Sequence, residues 1–178
     1  MKPKLLLHTC CAPCACYVVR LLQKDYEITS YFYNPNIHPE EEYHKRLAEE
    51  KKYFDKLELA LVEGPYNTKR WFELTKGHEH DPERGERCWL CYSMRLEHVG
   101  RFGRENGFDF FATTLSLSPH KDANKINQIG QELAKSLGIK FLEADFKKDN
   151  GFKKSLEISH AKGFYRQNYC GCVYSQKK

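Results

Sequence analysis

The chain lacks any hydrophobic segment long enough to cross a bilayer. Its apolar runs, such as Leu5–Leu7, are only as long as a strand, whereas a membrane-spanning helix needs about 20 apolar residues. No apolar signal-peptide core follows the basic residues at the start of the chain. We therefore expect a cytoplasmic protein with no membrane partner.

A linker rich in proline, glycine or serine, a low-complexity tract and an internal repeat are also missing. The 178 residues are 40% hydrophobic and 30% charged, a composition typical of a folded globular chain. A chain of this length buries one good core. The sequence therefore predicts a single α/β domain over residues 1–178, with an irregular, basic carboxyl-terminal tail from about residue 163.

Cysteine, by contrast, is abundant, because the chain has eight. The cytosol keeps thiols reduced, so this number indicates metal binding or redox chemistry rather than a disulfide framework. The cysteines form three close groups: Cys10, Cys11, Cys14 and Cys16; Cys88 and Cys91; and Cys170 and Cys172. Neighbouring cysteines close almost no loop and make poor structural disulfides, but they make good metal ligands.

Strand and helix patterns alternate along the chain. Strands are predicted at residues 4–8, 27–33, 59–63, 108–114 and 139–144, and the main helices at 14–24, 40–57, 87–106, 122–137 and 154–162. This order predicts an α/β fold with a mostly parallel sheet and helices on both faces. Ligands bind such sheets beyond the carboxyl ends of the strands. The turns Cys10–Cys14 and Thr114–Asp122 follow predicted strands, so we expect a metal site there.

Four cysteines are predicted to hold one metal centre: Cys10, Cys11, Cys88 and Cys91. The first two open a helix, where free N–H groups and the helix dipole favour thiolates. The other two are three residues apart on a predicted helix and therefore share one face. Thiolates suit zinc and iron–sulfur clusters equally well. We favour iron–sulfur, because a redox centre would use the thiols that a zinc site leaves without a role.

Arg95 lies on the same predicted helix face as Cys88 and Cys91. Its guanidinium would offset the negative charge of a thiolate-bound cluster. The alternative is a surface arginine paired with Glu97 or Asp109, and the sequence leaves both interpretations open.

Cys170 and Cys172 are predicted to be catalytic. A Cys-x-Cys pair closes a strained, labile disulfide of the redox-active kind, and Gly171 between them gives the backbone freedom for it. The pair could also serve as further metal ligands. The sequence does not decide whether Cys14 is a metal ligand or a bystander. Cys16 lies part-way round the helix and is interpreted as a residue of the packed core.

Basic residues concentrate near the carboxyl end. Residues 147–178 hold eight lysines and arginines against Asp149 and Glu157, and they include several aromatic residues. This combination suits a nucleic-acid or phosphate-bearing partner, although a solvated surface would have the same composition. Lys121, Lys125 and Arg166 are the predicted contacts to RNA.

Five segments form an ordered motif set that runs the length of the chain. They are HTCCAPC (8–14), YFYNPNIHP (31–39), RCWLCYSMRL (87–96), TTLSLSPHK (113–121) and YRQNYCGCVYS (165–175). Together they resemble the cobalamin-independent epoxyqueuosine reductases of the QueH type. The resemblance includes the three cysteine pairs at positions 10/11, 88/91 and 170/172, whereas Cys16 lies outside the shared pattern.

The resemblance implies a Rossmann-like fold, a 4Fe–4S cluster and action on tRNA. The implied reaction is the last step of queuosine biosynthesis, in which an oxidoreductase removes the epoxide oxygen from epoxyqueuosine at the wobble position. It needs two electrons, two protons and an electron donor that the sequence does not identify. A cluster held by three cysteines would keep one iron open, and leftover thiols could bind an additional, adjacent iron. Candidate proton donors are His8, His120, Asp122 and Tyr169.

Two other functions are weighed against this one. An ATP-dependent tRNA sulfurtransferase shares the architecture but should carry a Gly/Ser-rich phosphate loop after the first strand, and Cys10–Cys14 contains no glycine. A non-catalytic, zinc-bearing tRNA-binding module would leave Cys170 and Cys172 without a role. Neither alternative explains the end-to-end resemblance.

Overall fold

The computed structural model describes residues 1–176, and a parallel sheet forms its centre. The strands are β1 (Lys4–Thr9), β2 (Glu27–Phe32), β3 (Leu61–Glu63), β4 (Phe110–Thr113) and β5 (Lys140–Phe141). The α-helices are α1 (Ala12–Leu22), α2 (Glu40–Lys56), α3 (Thr68–Leu74), α4 (Glu86–Glu105), α5 (Ala123–Leu137) and α6 (Gly151–Ala161). Short 3₁₀ turns lie at Thr114–Leu117, Lys148–Asn150 and Val173–Ser175.

The sheet confirms the predicted α/β class. Its strand order is β3-β2-β1-β4-β5, and every recorded pairing is parallel. Successive side chains of β1 point to opposite faces. Leu6 packs with residues of α4 and α5, whereas Leu5 and Leu7 pack with residues of α1 and α2. Helices therefore cover both faces, as the strand–helix alternation predicts.

The strand order reverses between β1 and β4. The chain leaves β1 for β2 on one side of the sheet and later returns to β4 on the other side of β1. Thr9 pairs with Phe32 and His8 with Thr113, so the carboxyl ends of these three strands lie at one edge. The turns after β1 and β4 therefore open into the crevice where α/β folds bind ligands.

The largest differences from the predicted boundaries concern the last strand and the last helix. The strand predicted at 139–144 keeps only Lys140 and Phe141, after which Leu142 makes one backbone hydrogen bond to Phe111 and the chain turns away. The helix predicted at 154–162 begins earlier, at Gly151. A Cβ there would stand 1.8 Å from the carbonyl oxygen of Phe146, so this close approach is open to glycine alone.

The segment 163–176 crosses the carboxyl edge of the sheet as an irregular strap, and Lys177 and Lys178 lie outside the described residues. Arg46, a buried residue of α2, donates hydrogen bonds to the carbonyls of Cys170 (3.1 Å) and Tyr169 (3.3 Å). The amide of His38 donates to the Gly171 carbonyl at 2.8 Å. Gly171 has a φ of +111°, a conformation that favours glycine. We call residues 163–176 the strap below.

Candidate metal centre and active-site cleft

Three thiols meet in the turn between β1 and α1. The sulfurs of Cys10, Cys11 and Cys14 all lie within 4.8 Å of one another, and those of Cys10 and Cys11 are 4.0 Å apart. Pro13 occupies the first turn of α1, where its missing N–H costs no hydrogen bond. Within residues 1–176, no other three cysteines bring their sulfurs this close. We call these residues the cysteine triad.

The three thiols of the triad differ in the direction of their pKa shifts. Hydrogen bonds with the Cys11 and Cys14 thiols lower the pKa of Cys10 well below its ordinary value, with help from the charges of Arg95 and Lys121. The same hydrogen bonds raise the pKa of the other two thiols. Cys10 is therefore the thiol of the group that loses its proton most readily. Three soft sulfur ligands around one point form a set that could bind a metal.

The remaining cysteines, apart from Cys16, form a second group whose members lie close enough to influence one another's pKa. It consists of Cys88, Cys91, Cys170 and Cys172, and all are free thiols. The first two lie on α4 and the last two on the strap. Burial raises the pKa of each of Cys88, Cys91 and Cys172, to about 12 in the last case. These three are therefore neutral thiols when no metal is bound.

Arg95 joins the two groups of cysteines. Its side chain is 1% exposed, and one guanidinium nitrogen lies 4.0 Å from the Cys91 sulfur while another donates to the amide oxygen of Asn34 at 2.6 Å. Burial lowers the pKa of Arg95, but the charges of Cys91, Cys10 and Cys170 outweigh it and raise the net value. Of the two interpretations that the sequence leaves open, the structure shows the inward one, with Arg95 beside Cys91 and not paired with Glu97 or Asp109.

A cleft of about 270 Å³ opens between the triad, the turn after β4 and the strap. Cys10 and Cys14 line one wall and Cys170 lines another. Its polar lining further includes Glu83, His120, Lys121, Arg166, Gln167, Asn168 and Tyr169. The cleft therefore exposes sulfur from both cysteine groups to one space, and its charged lining residues are Lys121, Arg166 and Glu83.

The four candidate proton donors occupy different environments. His8 is fully buried, with its ring nitrogens 2.8 Å from the Thr113 hydroxyl and 3.1 Å from the Tyr33 carbonyl. Burial and then the charge of Arg95 lower its pKa to about 3, so this ring is neutral. Asp122 caps α5 by accepting from two backbone amides. Only His120 and Tyr169 line the cleft, and the Tyr169 hydroxyl donates to the His38 carbonyl.

Several site residues escape prediction from the sequence. Gln167 of the strap donates to the Cys11 sulfur at 3.0 Å, Asn34 binds Arg95, and Arg46 anchors the strap. Their partners are 156, 61 and 124 residues away in the chain, a distance over which spacing carries no signal. Cys16 packs in the core with its thiol donating to the Pro13 carbonyl, as predicted.

Comparison with known proteins identifies the family. The family model for epoxyqueuosine reductase QueH matches residues 5–178. The chain belongs to the epoxyqueuosine reductase QueH family. A QueH protein from Streptococcus pyogenes serotype M1 is 38% identical over 99% of this chain and 72% of its own length. A second, from Histophilus somni, is 41% identical over 97% of this chain and 72% of its own length. The resemblance seen in the sequence is thereby confirmed.

Solved structures confirm the fold of this QueH chain. The U34-tRNA thiolase NcsA from Methanococcus maripaludis with its 4Fe–4S cluster superposes with a TM-score of 0.59 at 15% identity. The superposition covers 99% of this chain and 63% of the thiolase. At this identity the likeness concerns the fold alone. No helix within residues 1–176 has the length and apolar character needed to cross a membrane.

Proposed function

We propose that this chain reduces epoxyqueuosine in tRNA to queuosine at the cleft formed by the cysteine triad, the turn after β4 and the strap. Membership of the QueH family over nearly the whole chain is the observation that carries the proposal. The reaction removes one oxygen atom: the epoxide takes up two electrons and two protons and yields an alkene and water. The cleft fits such a reaction, because oxidisable thiols of Cys10, Cys14 and Cys170 line it.

The metal centre is proposed to be a 4Fe–4S cluster with an additional, adjacent iron. Cys10, Cys11, Cys88 and Cys91 are the proposed ligands, and the proximity of Cys14 to the first two supports it as a further one. The donor set fits an anionic, sulfur-ligated centre, because two cations, Arg95 and Lys121, stand beside the thiols. When bound, such a centre supplies single electrons and an open Lewis-acidic iron.

Cys170 and Cys172 are proposed to cycle between dithiol and disulfide. Oxidation of two thiols to one disulfide releases two electrons and two protons, which is what one epoxide consumes. Cys170 faces the cleft and Cys172 lies buried behind it. An external electron donor would then reduce the disulfide before the next turnover. If this pair is instead a set of metal ligands, its loss should remove metal rather than turnover alone.

The tRNA is proposed to reach the cleft with its wobble base splayed out of the anticodon loop. An unpaired base is extruded at low cost and read by hydrogen bonds and stacking within a pocket. Arg166 and His120 are exposed residues of the cleft lining, where the RNA backbone would pass. Phosphate contacts of this kind predict an affinity that falls steeply as salt is raised.

An anaerobic activity assay tests the proposal. Protein reconstituted with iron and sulfide is incubated with a chemical reductant and tRNA that carries epoxyqueuosine, without ATP, and the digested nucleosides are analysed by mass spectrometry. We expect queuosine to form at the expense of epoxyqueuosine. The Cys170→Ser/Cys172→Ser double variant should keep its metal but lose multiple turnover, whereas the buried Cys16→Ser variant should act like the wild type.

Two outcomes of this assay would count against the account. Metal-loaded wild type that leaves epoxyqueuosine unchanged would refute the proposed reaction. A double variant with full metal content and undiminished multiple turnover would remove the dithiol cycle and leave the rest intact.

A further inference from the structure

Lys121 is a cation in the lining of the cleft, and no side chain within residues 1–176 binds its ammonium group. It follows the turn after β4, lines the cleft and is half-buried. Within residues 1–176, its ammonium group has no hydrogen-bond or ion-pair partner, whereas Arg95 is already bound to Asn34 and Cys91. A half-buried charge without a partner is costly to keep in place. Such a group in a reaction cleft is available to a ligand.

The backbone around Lys121 is fixed at both ends of its turn. Its amide donates to the Ser118 carbonyl at 3.2 Å. The next residue, Asp122, caps α5 through the amides of Asn124 and Lys125 at 3.0 and 3.1 Å. Arg84 donates to the carbonyl of Pro119 from the loop before α4. The Lys121 side chain therefore extends into the cleft from a turn whose backbone is held by hydrogen bonds.

Three cysteines that line the cleft together with Lys121 act on the charge of its ammonium group. The charges of Cys170, Cys10 and Cys14 raise the pKa of Lys121, and this effect outweighs the burial that lowers it. The lysine therefore carries its positive charge in the space between the two cysteine groups. Any substrate atom that approaches the sulfurs there also approaches this charge.

We propose that Lys121 binds the epoxide oxygen of the substrate by donating a hydrogen bond, and that its charge stabilises this oxygen as the carbon–oxygen bonds break. This inference rests on the proposed function. Each epoxide receives two electrons from the reducing centre and two protons, and its oxygen leaves as water while a carbon–carbon double bond forms. Negative charge develops on that oxygen during bond cleavage. A cation fixed beside it in advance lowers the barrier, as in other oxyanion sites.

The other polar groups of the region are less suited to this role. His8 is neutral and both of its ring nitrogens are engaged. The Tyr169 hydroxyl donates to a backbone carbonyl, and Arg166 and His120 are exposed. Lys121 is thus the charged donor best placed to meet the reacting atoms.

Three variants test the role of Lys121. Lys121→Gln removes the charge, Lys121→Arg keeps it in a larger head group, and Lys135→Gln removes a charge from an exposed position in the last turn of α5 as the matched control. For each metal-loaded variant we measure iron content, tRNA affinity at several salt concentrations, and the single-turnover rate at saturating tRNA.

We expect Lys121→Gln to lower the single-turnover rate by about 10²- to 10³-fold, the usual effect of losing one oxyanion donor. Its iron content and tRNA affinity should stay near those of the wild type. Lys121→Arg should recover part of the rate, and Lys135→Gln should match the wild type in all three measurements.

Two other results would overturn the proposal. If Lys121 instead contacted a tRNA phosphate, Lys121→Gln would weaken tRNA binding and lower the salt dependence of binding by about one ion. Its single-turnover rate at saturating tRNA would not change. If Lys121 served only as a counter-ion to the thiolates, Lys121→Gln would contain less iron than the wild type and Lys121→Arg would contain the same amount. Inactive wild-type protein would refute the proposed function itself, a result distinct from an active wild type whose Lys121 variants are equally fast.

Discussion

Glu50 of α2 is a carboxyl group with no contact to solvent. One of its oxygens accepts a hydrogen bond from Ser30 at 3.2 Å, and the Ser30 hydroxyl is 2.7 Å from that of Thr9, the residue before the triad. The second oxygen has no partner within residues 1–176. Burial raises the pKa of Glu50 to about 8, because the carboxylate would lose its hydration without gaining a cation.

This buried acid makes stability depend on pH. The folded pKa lies above the unfolded value, so the stabilisation by neutral Glu50 is complete below about pH 4.5 and is lost as pH rises through about 8. A Glu50→Gln variant stays neutral. We expect it to match the wild type near pH 5 and to exceed it by several kcal/mol near pH 9, since one pKa unit corresponds to about 1.4 kcal/mol. Anaerobic urea unfolding of the metal-free proteins measures the difference.

Glu41→Gln, an exposed substitution on the same helix, is the control for Glu50→Gln. Its stability difference from the wild type should not change with pH. A constant difference for Glu50→Gln between pH 5 and pH 9 would show that Glu50 is ionised in the folded protein.

Individual residues differ in how far the sequence predicts them. Cys10 and Cys11 are evident candidates because they are adjacent at a strand end. Helical spacing aligns Arg95 with Cys91, but it does not exclude a surface position for the arginine. The role of Glu50 is not evident, since its neighbours Ser30 and Thr9 lie on separate strands and a helical glutamate is usually solvated. The sequence does not decide whether Cys14 is a metal ligand, because the exact start of α1 sets the direction of its side chain.

At the scale of elements, the strap is held by α2 more than by its own structure. Arg46 is buried, pairs with Glu42 at 2.7 Å and donates to two strap carbonyls. Tyr165 of the strap donates from its hydroxyl to Glu42 at 3.0 Å. Hydrogen bonds from a charged donor stabilise by about 1.5–3 kcal/mol each. The strap, and with it Cys170, should therefore depend on this arginine.

An Arg46→Met variant should release the strap. We expect amide hydrogen exchange in residues 165–172 to accelerate by about tenfold or more, since 1.4 kcal/mol equals a factor of ten, while amides of β1 and β4 keep their protection. Arg101→Met, which breaks an exposed ion pair with Glu97 on α4, is the control. Unchanged exchange in the strap of Arg46→Met would mean that other contacts hold it.

The sequence predicts helices and strands well where their hydrophobic periodicity is strong. It predicts them poorly where tertiary contacts determine where an element begins or ends. The central strand β1 and the long helix α4 follow their predicted ranges closely. β5 is shorter than predicted, because its apolar continuation packs without strand pairing. The early start of α6 depends on the close approach of Gly151 to Phe146, which no local pattern reveals.

At the scale of the whole molecule, the fold gathers three distant pieces of sequence at one edge of the sheet. The triad follows β1, Lys121 follows β4, and Cys170 arrives on the strap. The reversal of strand order between β1 and β4 makes the first two neighbours. The sequence predicts a ligand site in both of these turns but not the strand order that brings them together. The path of the strap could not be predicted, because it depends on Arg46 and on the backbone freedom of Gly171.

The central claim is that this edge holds a redox metal centre bound by cysteine thiolates. Iron and acid-labile sulfide analysis of anaerobically purified protein, with a visible absorption spectrum, tests it most directly. The account predicts a brown protein with about four irons and four sulfides per chain, or a small excess of iron over sulfide. A colourless protein that binds one zinc, contains no sulfide and fails to take up a cluster on reconstitution would contradict it.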